Sequence, residues 1–104
     1  SPSEAEDAAA GVVQTQDCPD LPAKLNVLGH TRLEAVERVE GYLAEASAVG
    51  RTQVRVLHGK GEGVLQQAIW VALRRNSRVA RFRFAELSEG GTGVTIVDLK
   101  TGQQ

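Results

Sequence analysis

His58-Gly59-Lys60-Gly61-Glu62-Gly63 brings together residue types suited to one kind of chemistry. Glycines without a Cβ let backbone N–H groups come close to an anion. Lys60 adds a full positive charge, and the His58 imidazole exchanges a proton near neutral pH. A helix beginning just afterwards would aim its first N–H groups at the same place. A cradle, a charge and an acid/base are the parts that phosphodiester chemistry requires. The order G-x-x-x-x-G-K-[ST] of a nucleotide-binding loop is absent, and Gly59, Gly61 and Gly63 only mimic G-x-G-x-x-G. On physics alone, a tight strand-to-helix turn whose His and Lys face water explains the stretch equally well.

A second group is arginine-rich. Arg74, Arg75, Arg78, Arg81 and Arg83 put five guanidinium groups into ten residues, enough to track a phosphate backbone. Arg74 and Arg75 also suit a helix C-terminus, whose partial negative charge favours cations. At 1.5 Å per residue they lie about 20 Å down a helix from the glycine loop, so they belong to a footprint and not to a reacting centre. Phe82 and Phe84 are expected in the core, leaving Trp70 as the one exposed aromatic and little basis for base stacking. Cys18 stands alone, which excludes an internal disulfide, and Cys18, His30 and His58 have no recognisable zinc spacing. No metal site is assigned.

These residues need a scaffold, and the periodicities supply one. Leu25-Asn26-Val27-Leu28, ended by Gly29, reads as a short buried strand. Thr31 and Glu34 form a capping box ahead of Val36, Val39, Leu43 and Ala46 at helical spacing, and Gly50 ends that helix. Gln53 to Leu57 is a second strand. Leu65, Ala68, Ile69, Ala72 and Leu73 mark a second helix that stops near Asn76-Ser77. Ala80, Phe82 and Phe84 alternate with Arg81 and Arg83, a half-buried strand with a basic outer face. Gly90-Gly91-Thr92-Gly93 makes a tight turn into a last strand, Val94 to Leu99.

The order β-α-β-α-β-β predicts an α/β (α+β sandwich) fold, a mixed four-stranded sheet with two helices. With the first three strands running one way, Gly29-His30, the residue 58–63 loop and Gly90-Gly91-Thr92-Gly93 all reach the same carboxyl rim. Ligands bind at that rim in open α/β sheets.

Composition sets the outer limits. The chain has 104 residues, 41% hydrophobic, with a formal charge of −1, which suits one small domain. Residues 1–24 hold five acids and one base, whereas residues 25–104 hold eleven bases and eight acids, a net of +3. Residues 1–22 read as a flexible acidic linker joining residues 23–104 to something larger. No apolar run approaches the roughly 20 residues of a membrane span, and no signal peptide is recognisable, so a cytoplasmic location is expected.

Four motifs in order carry a resemblance over Leu25 to Leu99. Leu25-Asn26-Val27-Leu28-Gly29, Glu34-Ala35, His58-Gly59-Lys60-Gly61-Glu62-Gly63-Val64-Leu65 and Gly90-Gly91-Thr92-Gly93 resemble the L-D-x-R/H-G, E-A, H-G-K-G-x-G-x-L and G-G-x-G motifs of the Smr (small MutS-related) domain. The resemblance implies a fold similar to the C-terminal domain of translation initiation factor three, nucleic-acid binding and nicking endonuclease activity. The acidic lead-in is similar to that of the second-type bacterial MutS paralogues, which work on branched DNA and on ribosome-associated RNA. It further implies a monomeric domain within a dimeric parent, DNA or RNA and the ribosome as partners, and no membrane. ATP would belong only to an upstream ATPase domain, and a divalent metal stays open.

Asn26 stands where the family commonly has Asp, Leu28 where it has Arg or His, and Gln66 where Arg is frequent. Asn cannot serve as a base, and Leu removes a cation or a titrating ring. The expected assignment is His58 as acid/base, Lys60 as stabiliser of phosphate charge and Asn26 as an orienting group. Gly59, Gly61, Gly63 and His30 would bind nucleic acid with Arg74, Arg75, Arg78, Arg81 and Arg83. A nuclease with little sequence preference and a non-catalytic binding module both fit. An enzyme for a small phosphorylated metabolite fits less well, for want of a deep apolar pocket.

Overall fold

The computed structural model describes residues 21–100. Its elements are β1 (Lys24–Asn26), α1 (Arg32–Ala48), β2 (Gln53–Leu57), α2 (Val64–Arg75), β3 (Val79–Phe84) and β4 (Val94–Leu99), in the order the periodicities predict. They make one mixed sheet with strand order β1-β2-β4-β3. β1 and β2 are parallel, and β4 runs antiparallel to β2 and β3. Hence β1, β2 and β3 all end at one rim.

Each helix owes its place to its apolar stripe. Thr31 Oγ1 accepts from Glu34 N at 3.2 Å and Glu34 Oε1 accepts from Thr31 N at 3.0 Å, so the capping box starts α1 as expected. The Thr31 N–H holds the Glu34 carboxyl below the usual carboxylate range. Ala35, Val39, Tyr42, Leu43 and Ala46 of α1, with Ile69, Ala72 and Leu73 of α2, are buried. Leu43, Ile69 and Leu73 join Leu25, Val27, Val54, Val56, Val97 and Leu99 in one core on a single face of the sheet. Burying one such side chain contributes about 1.5–3 kcal/mol. On the other face, among the described residues, Ala85, Val94 and Ile96 cluster with Leu57 against them, and neither α1 nor α2 lies there.

Three local expectations are corrected. β1 stops at Asn26 and Leu28 is 50% exposed, because Asn26 Oδ1 takes the Leu28 N–H at 2.9 Å and turns the chain out of the sheet. In β3 the register shifts between Val79 and Arg81, so Ala80 is the extra residue of a bulge and lies exposed instead of inward. The β3–β4 connection is no tight hairpin turn but holds two 3₁₀ turns, Leu87–Glu89 and Gly91–Gly93. At the start of the described residues, Leu21 is buried against the core. Arg51 Nη2 donates to Leu21 O at 2.7 Å, and the Tyr42 hydroxyl donates to Pro22 O. The rest of the acidic leader lies outside the described residues.

Candidate functional site

Three loops meet at the carboxyl rim. The N–H groups of His58 and Gly59 both donate to Gly93 O at 3.0 Å, which ties the β2–α2 loop to the end of the β3–β4 connection. Gly59 has φ +84, which favours glycine, and a Cβ there would stand 2.8 Å from Leu28 Cδ2. The β1–α1 loop is thereby brought in as well. The Lys60 stem lies along the third loop, its Cγ 3.3 Å from where a Gly93 Cβ would stand. Lys60 itself is exposed.

α2 opens with its N–H groups free. Its N-cap is Gly63 at φ +81, without a side-chain cap and without an acid in the first turn. The N–H of Gln67 is bonded to Gly63 O at 2.9 Å, so those of Val64, Leu65 and Gln66 have no partner within the helix. They line an open cleft of about 250 Å³ formed by residues 58–66. N–H donors, a helix dipole and the Lys60 ammonium around one opening suit an oxyanion. A larger cleft of about 350 Å³ lies between Leu21-Pro22 and α1, away from these groups.

His58 does not face water as a plain turn residue would. Its ring is 4% exposed and points to the helix side of the sheet, continuing the alternation of Val54 and Val56. Trp70 Nε1–H donates to Thr95 Oγ1 at 2.8 Å, and Thr95 Oγ1 lies 2.7 Å from His58 Nε2. Indole can only donate, so the Thr95 hydroxyl accepts from Trp70. The Gly59 carbonyl can only accept, which places the His58 proton on Nδ1 and leaves Nε2 of the neutral ring to accept from the Thr95 hydroxyl. His58 Nδ1–H then donates to Gly59 O at 3.0 Å. The ring is a neutral Nδ1–H tautomer with both nitrogens used inside the protein. Burial pushes its pKa below the ordinary histidine value, opposed in part by the Gly59 carbonyl.

Trp70 is accordingly no exposed stacking platform. It packs edge-on to Phe82, with centroids 4.9 Å apart, and tilted on Phe84 at 4.6 Å. All three are half-buried. Thr95 and Trp70 are the site residues that motif reading misses. A threonine on the inward parity of Val97 and Leu99 is a polar group that needs a partner, and this is the signal that points to it.

The remaining expected residues divide by place. Asn26 pairs in register with Leu57 and lies on the helix-free face, opposite to His58; its Oδ1 is occupied by Leu28 N. His30 is half-buried in the β1–α1 loop, its Nδ1 3.3 Å from Leu28 O. Arg74 and Arg75 are exposed in the last turn of α2, and Arg78 is exposed just beyond it, at the end away from the rim. Arg81 and Arg83 are exposed on the helix-free face, where Arg81 Nε pairs with Asp98 Oδ2 at 3.1 Å. Gly59, Lys60, Gly61 and Gly63 thus share one point, with His58 beneath them. Among the described residues, no three His, Cys, Asp or Glu side chains are grouped to hold a metal, and no helix is long and apolar enough to cross a membrane.

A family model of the Smr domain matches residues 25–100. Endonuclease MutS2 of Clostridium tetani is 42% identical over 80 residues, 77% of this chain and 10% of that protein. Endonuclease MutS2 of Symbiobacterium thermophilum is 46% identical over 81 residues, again 78% of this chain and 10% of the relative. The chain therefore spans about 10% of the length of these curated relatives. The crystal structure of the Smr domain of Thermus thermophilus MutS2 superposes with a TM-score of 0.73 at 48% identity, over 74% of this chain and 96% of that one. YdaL, a stand-alone small MutS-related protein from Escherichia coli, gives 0.73 at 26% identity, over 80% and 67%. With motifs, fold and rim in agreement through nearly all the described residues, the chain belongs to the Smr domain family.

Proposed function

We propose that this domain holds a nucleic-acid phosphate at its rim and nicks DNA or RNA with little sequence preference, as the C-terminal part of a larger MutS-like ATPase. The observation that carries the reading is the uncapped start of α2 beside exposed Lys60, a ready anion site on a chain whose relatives are named endonucleases. Lys60 and the Gly59 to Gly63 backbone hold the phosphate and its developing charge. His58 exchanges the proton once its bond to Thr95 opens, and Asn26 and His30 orient the neighbouring backbone. Arg74, Arg75, Arg78 and Arg83 hold flanking phosphates, while Arg81 is paired with Asp98.

A second reading, a non-catalytic module that binds nucleic acid or the ribosome, is favoured by three observations. Both His58 nitrogens are engaged, Asn26 is on the opposite face, and Leu28 offers no charge. Incubating the chain with supercoiled plasmid and structured RNA, with and without divalent metal, separates the two. Nicking that His58→Ala lowers by about 10²–10⁴-fold at unchanged binding supports the nuclease. Binding without cutting supports the module, and nicking equal in wild type and His58→Ala removes His58 from the chemistry.

A further inference from the structure

The face of the sheet turned away from the helices carries a line of charge. Lys24 is in register with Arg55, Arg55 with Ile96, and Ile96 with Arg83. These four residues form one row across β1, β2, β4 and β3, about 14 Å long at roughly 4.8 Å per strand. Ile96 is 2% exposed although neither α1 nor α2 covers it. Its cross-strand neighbours Arg55 and Arg83 can flank it with their aliphatic stems while their guanidinium groups stay in water.

The neighbouring row is different. Gln53 Nε2 donates to Asp98 Oδ1 at 2.9 Å, and Asp98 Oδ2 pairs with Arg81 Nε at 3.1 Å, so Arg81 is largely neutralised. Among the described residues, neither Lys24 nor Arg83 has an ion-pair partner. Arg55 Nη2 is paired with Glu89 Oε1 at 3.1 Å, with both side chains partly exposed. Glu89 belongs to the same β3–β4 connection that Lys60 touches at Gly91. The row is therefore continuous with the rim through that connection.

We propose that the helix-free face is a second phosphate-contacting surface. A single nucleic-acid strand leaving the rim crosses it along Lys24, Arg55 and Arg83, and Glu89 occupies Arg55 until a phosphate displaces it. Among the described residues, no aromatic side chain of β1, β2, β3 or β4 lies on this face. It therefore has no stacking platform and takes the strand by its backbone. This rests on the nucleic-acid reading of the rim.

The test is binding of a labelled oligothymidylate by the whole chain across a salt series. Each single-strand phosphate contact contributes about 0.7 to the slope of log affinity against log salt. Lys24→Gln with Arg83→Gln should weaken binding and lower that slope by about 1.4, whereas Arg38→Gln on α1 should leave it unchanged. Glu89→Gln should tighten binding, a gain that misfolding cannot mimic. Wild-type affinity and slope in the double variant, or unchanged binding in Glu89→Gln, overturns this inference alone. No binding by the wild type at low salt overturns both it and the reading of the rim.

Discussion

The Thr95 hydroxyl holds two rings, and its loss isolates both. Thr95→Val keeps the shape but leaves His58 Nε2 and Trp70 Nε1–H buried without their partner. A buried unsatisfied polar group costs about 1–3 kcal/mol, so urea denaturation should show a loss of about 2 kcal/mol or more, with Thr95→Ser much closer to wild type. Equal stability of Thr95→Val would mean that the hydroxyl does not order the rings. Lys60 is the opposite kind of residue, exposed and, among the described residues, paired with no carboxylate. Lys60→Ala should change the melting temperature by no more than about 2–4 °C. Its charge acts on bound phosphate and transition state alike, so nicking should fall on the order of 10²-fold, with weaker binding. A rate loss at unchanged affinity would assign Lys60 to the transition state only.

The two helices start in contrasting ways, and the contrast separates stability from binding. α1 is closed by Thr31 and Glu34; α2 starts at Gly63 with no side-chain cap. Thr31→Ala removes the acceptor of the Glu34 N–H and should cost about 1 kcal/mol in thermal or urea unfolding, with nucleic-acid affinity unchanged. Gly63→Ala forces a residue with a Cβ into a left-handed conformation, costing about 1–2 kcal/mol. Because it also shifts the N–H groups lining the cleft, it should weaken binding as Thr31→Ala does not. Equal effects of the two on binding would remove the α2 start from the anion site.

For the molecule as a whole, one buried imidazole sets a pH dependence of stability. The folded-state pKa of His58 is lowered from 6.5 by burial. Below that value the unfolded chain takes up a proton that the folded chain refuses. Stability therefore falls as pH drops from about 6.5 towards the folded-state pKa and then levels off. Melting temperatures between pH 7.5 and pH 5 should show this decline, and His58→Gln should flatten it even if less stable throughout. Glu34, also lowered, acts only below its own ordinary value of 4.5, so the decline that begins near pH 6.5 belongs to His58. A wild-type profile as flat as that of His58→Gln would mean that the ring opens to water before it titrates.

The sequence by itself determined the element order, the buried stripe of each helix, the α1 cap and the arrival of three glycine loops at one rim. These rest on local properties: spacing, propensity and the backbone conformations glycine allows. The inward turn of His58 was also legible in the alternation of Val54, Val56 and His58, but the motif drew attention to its chemistry instead. Only the tertiary structure decided what that ring meets, because Trp70 and Thr95 lie 12 and 37 residues further along and reach it through packing of α2 on β4. Register between strands put Asn26 on the face opposite His58, spent Arg81 on Asp98 and left Arg83 in line with Arg55 and Lys24. The bulge that exposes Ala80 came from the same source. Pairing register is fixed by long-range contacts across the sheet, and a shift of one residue reverses every face.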